Sequence, residues 1–179
     1  MRNVRARPPL FRFVRVVALL ASAACATPAA RAAGSWVTDA PDFPSSPLCR
    51  SGEVTLWTCT AAHKTFSLCA QGRGAARDVA IQYRVRDRSG KIVLRYPEPM
   101  RAPRSAFSYE CSANGDAEVD FTIGKTSYAL VDPLRDVSFI SVTRGDRELA
   151  HLRCAEGNQS LQLNDTIALM HALGVPAPH

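Results

Sequence analysis

The sequence predicts a mainly β fold, an antiparallel sandwich or barrel of about eight to nine short strands with a short C-terminal helix. Three observations carry that prediction. Apolar and polar residues alternate with period two over 78–96 and again over 107–131, as half-buried strands require. Turn signals built on Gly, Asn, Asp and Pro separate these runs every few residues. Only the last stretch, near 164–173, has helical spacing followed by a glycine stop.

The elements follow a leader that must be set aside first. Arg2, Arg5, Arg7, Arg12 and Arg15 precede the apolar run Val16–Ala21 and then small residues, the parts of a secretory signal peptide. The run is too short for the roughly 20 residues that cross a bilayer, so no transmembrane helix is expected in the mature chain. Cleavage is expected after residue 26, with residue 32 as the alternative end. Cys25 raises a second route, a lipid anchor on a mature N-terminal cysteine. Ser22 stands where such sites carry Leu, so lipidation through Cys25 is the alternative. The expected location is periplasmic or secreted.

The leader also accounts for the charge. The chain carries 22 basic and 16 acidic residues, net +6, and five of the basic ones lie in the leader. From Thr27 onward the balance is 17 to 16, which gives no basic surface for nucleic acid. Residues 27–47, with Pro28, Pro41, Pro44 and Pro47, form a flexible Pro/Ala-rich lead-in. A single domain over 48–174 follows, and 175–179 is a tail.

Val54–Cys69 opens the domain as two short strands joined by a polar turn, with Trp57 and Phe66 supplying core bulk and Cys59 and Cys69 available as staples. Gln71–Gly74 is a loop. Over 78–86, Val79, Ile81, Tyr83 and Val85 face one way, while Asp78, Gln82, Arg84 and Arg86 face the other, toward solvent. Asp87–Gly90 turns into Ile92, Leu94 and Tyr96, completing a hairpin that Pro97, Pro99 and Pro103 break. Phe107–Cys111 is the next strand, and Ser112–Asp116 a turn centred on Asn-Gly. Strands at 119–123, 127–131, 137–143 and 148–154 follow. Arg144-Gly145-Asp146 spells an integrin-type tripeptide but reads as the turn between the last two. Asn164 or Asp165 caps a helix to Leu173, with Gly174 beyond it.

Export puts the cysteines in an oxidising setting, so Cys49, Cys59, Cys69, Cys111 and Cys154 are disulfide candidates rather than metal ligands. Two bridges with one thiol left over can be drawn in fifteen ways, and the spacing does not choose among them. No Cys-x-x-Cys is present to form a redox pair or zinc knuckle.

Little else carries chemistry. His63, in the first turn, and His151, mid-strand, are the histidines nearest a plausible partner; no Gly-x-Ser-x-Gly or Ser-x-x-Lys accompanies them. Asn114, Asp116, Glu118 and Asp120 share a face in an extended strand and make a weak calcium candidate, set against cross-sheet pairing with Arg84, Arg86 and Arg95. Asn158-Gln159-Ser160 fits the glycosylation pattern. The strand aromatics read as core, although an exposed Trp36 or Tyr96 would point to a sugar platform. No cofactor is expected.

The run Leu56-Trp57-Thr58-Cys59, Lys64, Phe66-Ser67-Leu68-Cys69-Ala70, with Ile81-Gln82-Tyr83-Arg84, Leu94-Arg95-Tyr96-Pro97 and Leu152-Arg153-Cys154, resembles a family of small exported proteobacterial proteins of unknown function. The resemblance spans about Cys49 to Cys154 and rests on cysteine and strand residues. This chain departs from it in the Ala62-His63-Lys64 turn and the acidic 114–120 stretch. The resemblance implies export, β structure and bacterial origin, and no catalytic residue. The expected function is a non-enzymatic binding or structural module of the envelope with an unknown protein or cell-wall ligand. The alternatives are an inhibitor of lysozyme-type enzymes or an extracytoplasmic hydrolase using His63 or His151.

Overall fold

The computed structural model describes residues 43–72, 78–155 and 160–178. The leader, Cys25, Trp36, Asn158 and most of the lead-in lie outside the described residues. Among the described residues nine strands form two antiparallel sheets. The first sheet runs β1 (Val54–Ala61), β2 (Lys64–Gln71), β3 (Ala80–Arg86) and β4 (Ile92–Arg101) in chain order. The second runs β5 (Ser108–Cys111), β6 (Ala117–Ile123), β7 (Thr126–Asp132), β8 (Phe139–Arg144) and β9 (Arg147–Arg153), also in order. Among the described residues one α-helix, α1 (Asn164–Ala172), follows, and a short 3-10 turn at Pro103–Ser105 links the sheets. Consecutive antiparallel pairing is what short polar turns between alternating strands produce, so the predicted class is the observed one.

The core lies between the sheets and is built from one parity of each strand. Trp57, Phe66, Leu68, Ile81, Tyr83 and Val85 come from the first sheet; Tyr109, Val119, Phe121, Leu130 and Ile140 come from the second. Aromatic side chains fill one region of it. Phe121 stacks on Tyr128 at 5.0 Å and on Tyr96 at 5.2 Å, with Tyr83 tilted against it at 4.8 Å. Tyr96 therefore belongs to the core packing, not to an exposed platform.

The first hairpin explains the disulfides. In the β1–β2 register Cys59 faces Phe66 and Thr55 faces Cys69. Cys59 points into the core with Phe66, whereas Cys69 lies on the parity of Ser67, toward the outer face. Strand neighbours of opposite parity cannot reach each other. Cys59 instead bridges Cys154 beyond β9, and Cys69 bridges Cys49 ahead of β1, with Cα separations of 5.2 and 5.4 Å. Cys111 lies outside both bridges. The turn itself places Ala62 and His63 at φ 47° and 59°, the left-handed pair that a two-residue hairpin loop needs.

Three local expectations need correction. Gln82 and Arg84 are not solvent-facing; they are 4% and 3% exposed, because residues 43–53 lie over the outer face of the first sheet. Ser46 Oγ meets Ser67 Oγ at 2.6 Å, and Arg84 donates to the Leu48 carbonyl at 2.7 Å. Second, β4 runs on through Pro97 and Pro99 to Arg101. It is an edge strand, so a missing N–H on its open side costs no ladder bond. Third, α1 is capped by Leu163 without a side-chain hydrogen bond, while Asp165 sits in the first turn. Its stop is as expected: Gly174 adopts φ 62° and donates to the His171 carbonyl.

The C-terminal segment closes the structure. Leu161, Ile167, Leu169, Met170 and Leu173 are buried against the core. Tyr109 Oη donates to the Leu161 carbonyl, and the Tyr109 N–H to that of Pro176, at 2.8 and 2.9 Å. The tail thereby occupies backbone valence of β5 that an open sheet edge would leave unpaired.

Candidate functional site

The outer faces of the two sheets differ. Residues 43–53 cover the first over β2 and β3, where Ser67, Gln82 and Arg84 are buried, while Val93 on β4 stays exposed; the second reaches solvent along its length. Its outward row on β5 to β9 reads Glu110, Glu118, Val131, Phe139 and Arg153; the neighbouring row reads Ser108, Asp120, Ala129, Ser141 and His151. The residues from β6 to β8 in these rows are half-buried, and His151 and Arg153 are exposed. The face has an acidic end on β5–β6, small or apolar side chains in the middle, and a His/Arg end on β9.

The acidic end arises from register. The turn at Ser112–Asp116 is tight: Gly115 takes φ 89°, and a Cβ there would meet the Leu134 side chain at 2.7 Å. That turn sets Glu110 directly opposite Glu118, with Asp120 two residues further along the same face. Burial first, then the hydrogen-bonding Glu118 and the charges of Glu118 and Glu110, push the Asp120 carboxyl up to about 7. Its Oδ2 is buried with no hydrogen-bond partner. The trio therefore sets a carboxyl that burial and its acidic neighbours push toward the protonated form beside Glu110 and Glu118, an arrangement suited to receiving a cationic group.

Of the four residues singled out in sequence, Asn114, Asp116 and Glu118 line one cleft with Glu110, and Asp120 is not among its lining residues. Asn114 lies in the turn, where its side chain meets Ser112 and donates to Asp116 Oδ2 at 2.8 Å. Asp116 Oδ1 accepts the Leu134 N–H at 2.9 Å. Only Glu118 and Asp120 remain on the open face. Arg84, Arg86 and Arg95 belong to the other sheet, and Arg84 is held by Glu53. Glu110 was missed, although the Asn-Gly turn at its centre would have placed it opposite Glu118.

The histidines are dispersed. His63 is exposed on the β1–β2 turn. His151 stacks on Phe139 at 4.6 Å, and its Nδ1 lies 3.3 Å from Glu148. Three strand spacings, about 14 Å, separate it from Asp120. His171, in the last turn of α1, lines a cleft with Glu110, Cys111, Tyr109, Val175 and Ala177. That thiol–imidazole–carboxylate neighbourhood joins residues 60 positions apart, which no local pattern signals. Cys49, Glu53 and Cys69 also cluster, but both sulfurs are spent in one disulfide and offer no thiolate to a metal.

The two disulfides indicate oxidising, extracytoplasmic surroundings. Among the described residues no helix is long and apolar enough to cross a membrane. No family model, no curated protein and no solved structure matches the chain.

Proposed function

We propose that this chain is an exported, non-enzymatic binding module of the bacterial envelope, and that it engages a protein or cell-wall ligand through the outer face of the β5–β9 sheet. The observation that carries the reading is the asymmetry of the two outer faces. Residues 43–53 cover the β2–β3 part of one, and the other presents half-buried Val131 and Phe139 beside an acidic end. Apolar side chains beside a cluster of acidic groups are what a docking surface leaves for its partner. The leader read in the sequence supports release to the periplasm or beyond, with an anchor at Cys25 as the alternative.

Glu110, Glu118 and Asp120 favour a cationic partner, which keeps the inhibitor of lysozyme-type enzymes as the second reading. The hydrolase reading, through His63 or His151, has less behind it: both imidazoles are exposed, His63 on the β1–β2 turn and His151 on β9 beside Glu148.

The test is cosedimentation of the purified protein with peptidoglycan sacculi, together with titration against a cationic lysozyme. Binding at micromolar protein that falls at least tenfold in Phe139→Ala and in the Glu110→Gln/Glu118→Gln pair is the expected outcome. Binding unaffected by both variants would remove the face from consideration. Lysozyme activity unchanged at micromolar protein would remove the inhibitor reading.

A further inference from the structure

Asp132 ends β7 with no exposed surface and is the point where the C-terminal segment is tied to the sandwich. Its Oδ2 accepts the Leu161 N–H at 2.9 Å, Oδ1 accepts the Ser138 hydroxyl, and its main-chain carbonyl accepts the Gln162 side-chain amide. Ser160, next in the segment, accepts the Thr166 hydroxyl of α1 at 2.9 Å through its carbonyl. One side chain thus orders the entry to the helix that covers the core.

The described groups in contact with that carboxyl are neutral. Trp57 approaches from β1, near enough to favour the carboxylate but outside hydrogen-bond geometry. Ala117 pairs with Asp132 from β6, Ser138 precedes β8, and Leu161 and Gln162 come from the segment itself. Among the described residues no charged group acts on it. An ionised Asp132 is therefore a buried charge with no counter-charge among the described residues, and withdrawal of the segment would let water reach it. A protonated Asp132 keeps a partner for each oxygen, its hydroxyl donating to Ser138 Oγ and the other oxygen accepting from Leu161; these contacts favour the carboxylate, and burial outweighs them.

We propose that Asp132 is a proton-operated latch for residues 160–173, tight when its carboxyl is neutral and eased when it is ionised. Burial pushes the group up to about 6 in the closed form, against the ordinary 3.8 once water reaches it. Because the closed form holds the proton more tightly, closure is strongest below about pH 4 and weakens as pH rises through 6. Easing the segment frees the apolar side of α1, Ile167, Leu169 and Met170, and the core surface beneath it.

Amide hydrogen exchange of the full chain between pH 4 and 8, corrected for intrinsic rates, tests this. Protection of Leu161 and of the α1 amides should fall on the order of 100-fold over that range, with a midpoint near 6. Asp132→Asn, which keeps a donor and an acceptor in place, should flatten the profile; Asp120→Asn should leave it. A flat wild-type profile, or the same fall in Asp132→Asn, overturns the latch. Should Asp132→Asn not fold, carbon NMR of the wild-type carboxyl decides. An Asp132 inflection near 6 that tracks the loss of segment protection supports it, and an inflection near 4 or one that leaves protection unchanged overturns it.

Discussion

Arg84 reaches through the outer face of the first sheet to grip both carboxylate oxygens of Glu53, at 2.5 and 2.8 Å, with each side chain 3% exposed. The guanidinium also donates to the Gln82 side chain and the Leu48 carbonyl, and the Arg50 N–H reaches Glu53 at 2.7 Å. Gln82 in turn donates to the Pro97 carbonyl at 2.8 Å. Burial alone would raise the Glu53 carboxyl, but Arg84 and the Arg50 amide hold it below its ordinary value. The network joins β3, β4 and the segment before β1 into one polar seam.

Because the pair is enclosed, removing one partner strands the other. Glu53→Gln should cost about 3–5 kcal/mol in urea unfolding, whereas the apolar double replacement Glu53→Leu/Arg84→Met should recover most of that loss. A cost below about 1 kcal/mol for the single change would mean that water already reaches the seam.

The two disulfides should contribute unequally. Cys59–Cys154 closes a separation of 95 residues and Cys49–Cys69 one of 20. The chain-entropy account assigns about 4–5 kcal/mol to the first and about 3 to the second. Unfolding of Cys59→Ala/Cys154→Ala and Cys49→Ala/Cys69→Ala, measured against the parent, checks the order. A larger loss from the shorter loop would show that its grip on the covering segment matters more than loop closure.

Acidity should stabilise the domain down to a limit. Asp120 and Asp132 both have carboxyls raised by burial, to about 7 and about 6. A group raised in the folded state contributes stability below its ordinary value near 4 and loses it as pH climbs through the folded one. Glu53, Asp87 and Asp136 are lowered, and their contribution disappears as pH falls below about 4. The midpoint of thermal unfolding should therefore peak near pH 4–5 and decline toward pH 8. Asp120→Asn should raise the pH 8 value and leave the pH 5 value nearly unchanged. Equal effects at both pH values would show that the carboxyl is ordinary.

The strands were legible because a two-residue period survives wherever one face meets the core, as at Ile81, Tyr83 and Val85 or Val119 and Phe121. The outer side of β3 was not, because the residues that bury Gln82 and Arg84 belong to a proline- and serine-bearing stretch that looks like linker. The prolines of β4 misled for a related reason: an edge strand tolerates what a central one rejects, and edge status is a property of the sheet. Disulfide partners were hidden because parity within a hairpin rules out only one pairing, Cys59 with Cys69. In the candidate site, Glu118 and Asp120 were visible as a face. Glu110 needed the register across the Asn114-Gly115 turn, and the His171–Cys111 neighbourhood needed the tail to fold back on β5.

The bridges cross along the chain, in the order Cys49, Cys59, Cys69, Cys154. A covalent path from one end to the other can therefore jump from Cys49 to Cys69, run backward to Cys59 and jump again to Cys154. Only the stretch between Cys59 and Cys69 is left to pay out under load, about 35 Å of contour in place of several hundred. Pulled at Cys49 and Cys154, the sandwich would behave as a short link, with the α1 segment beyond it, and a single cut in any loop between Cys69 and Cys154 would release no fragment.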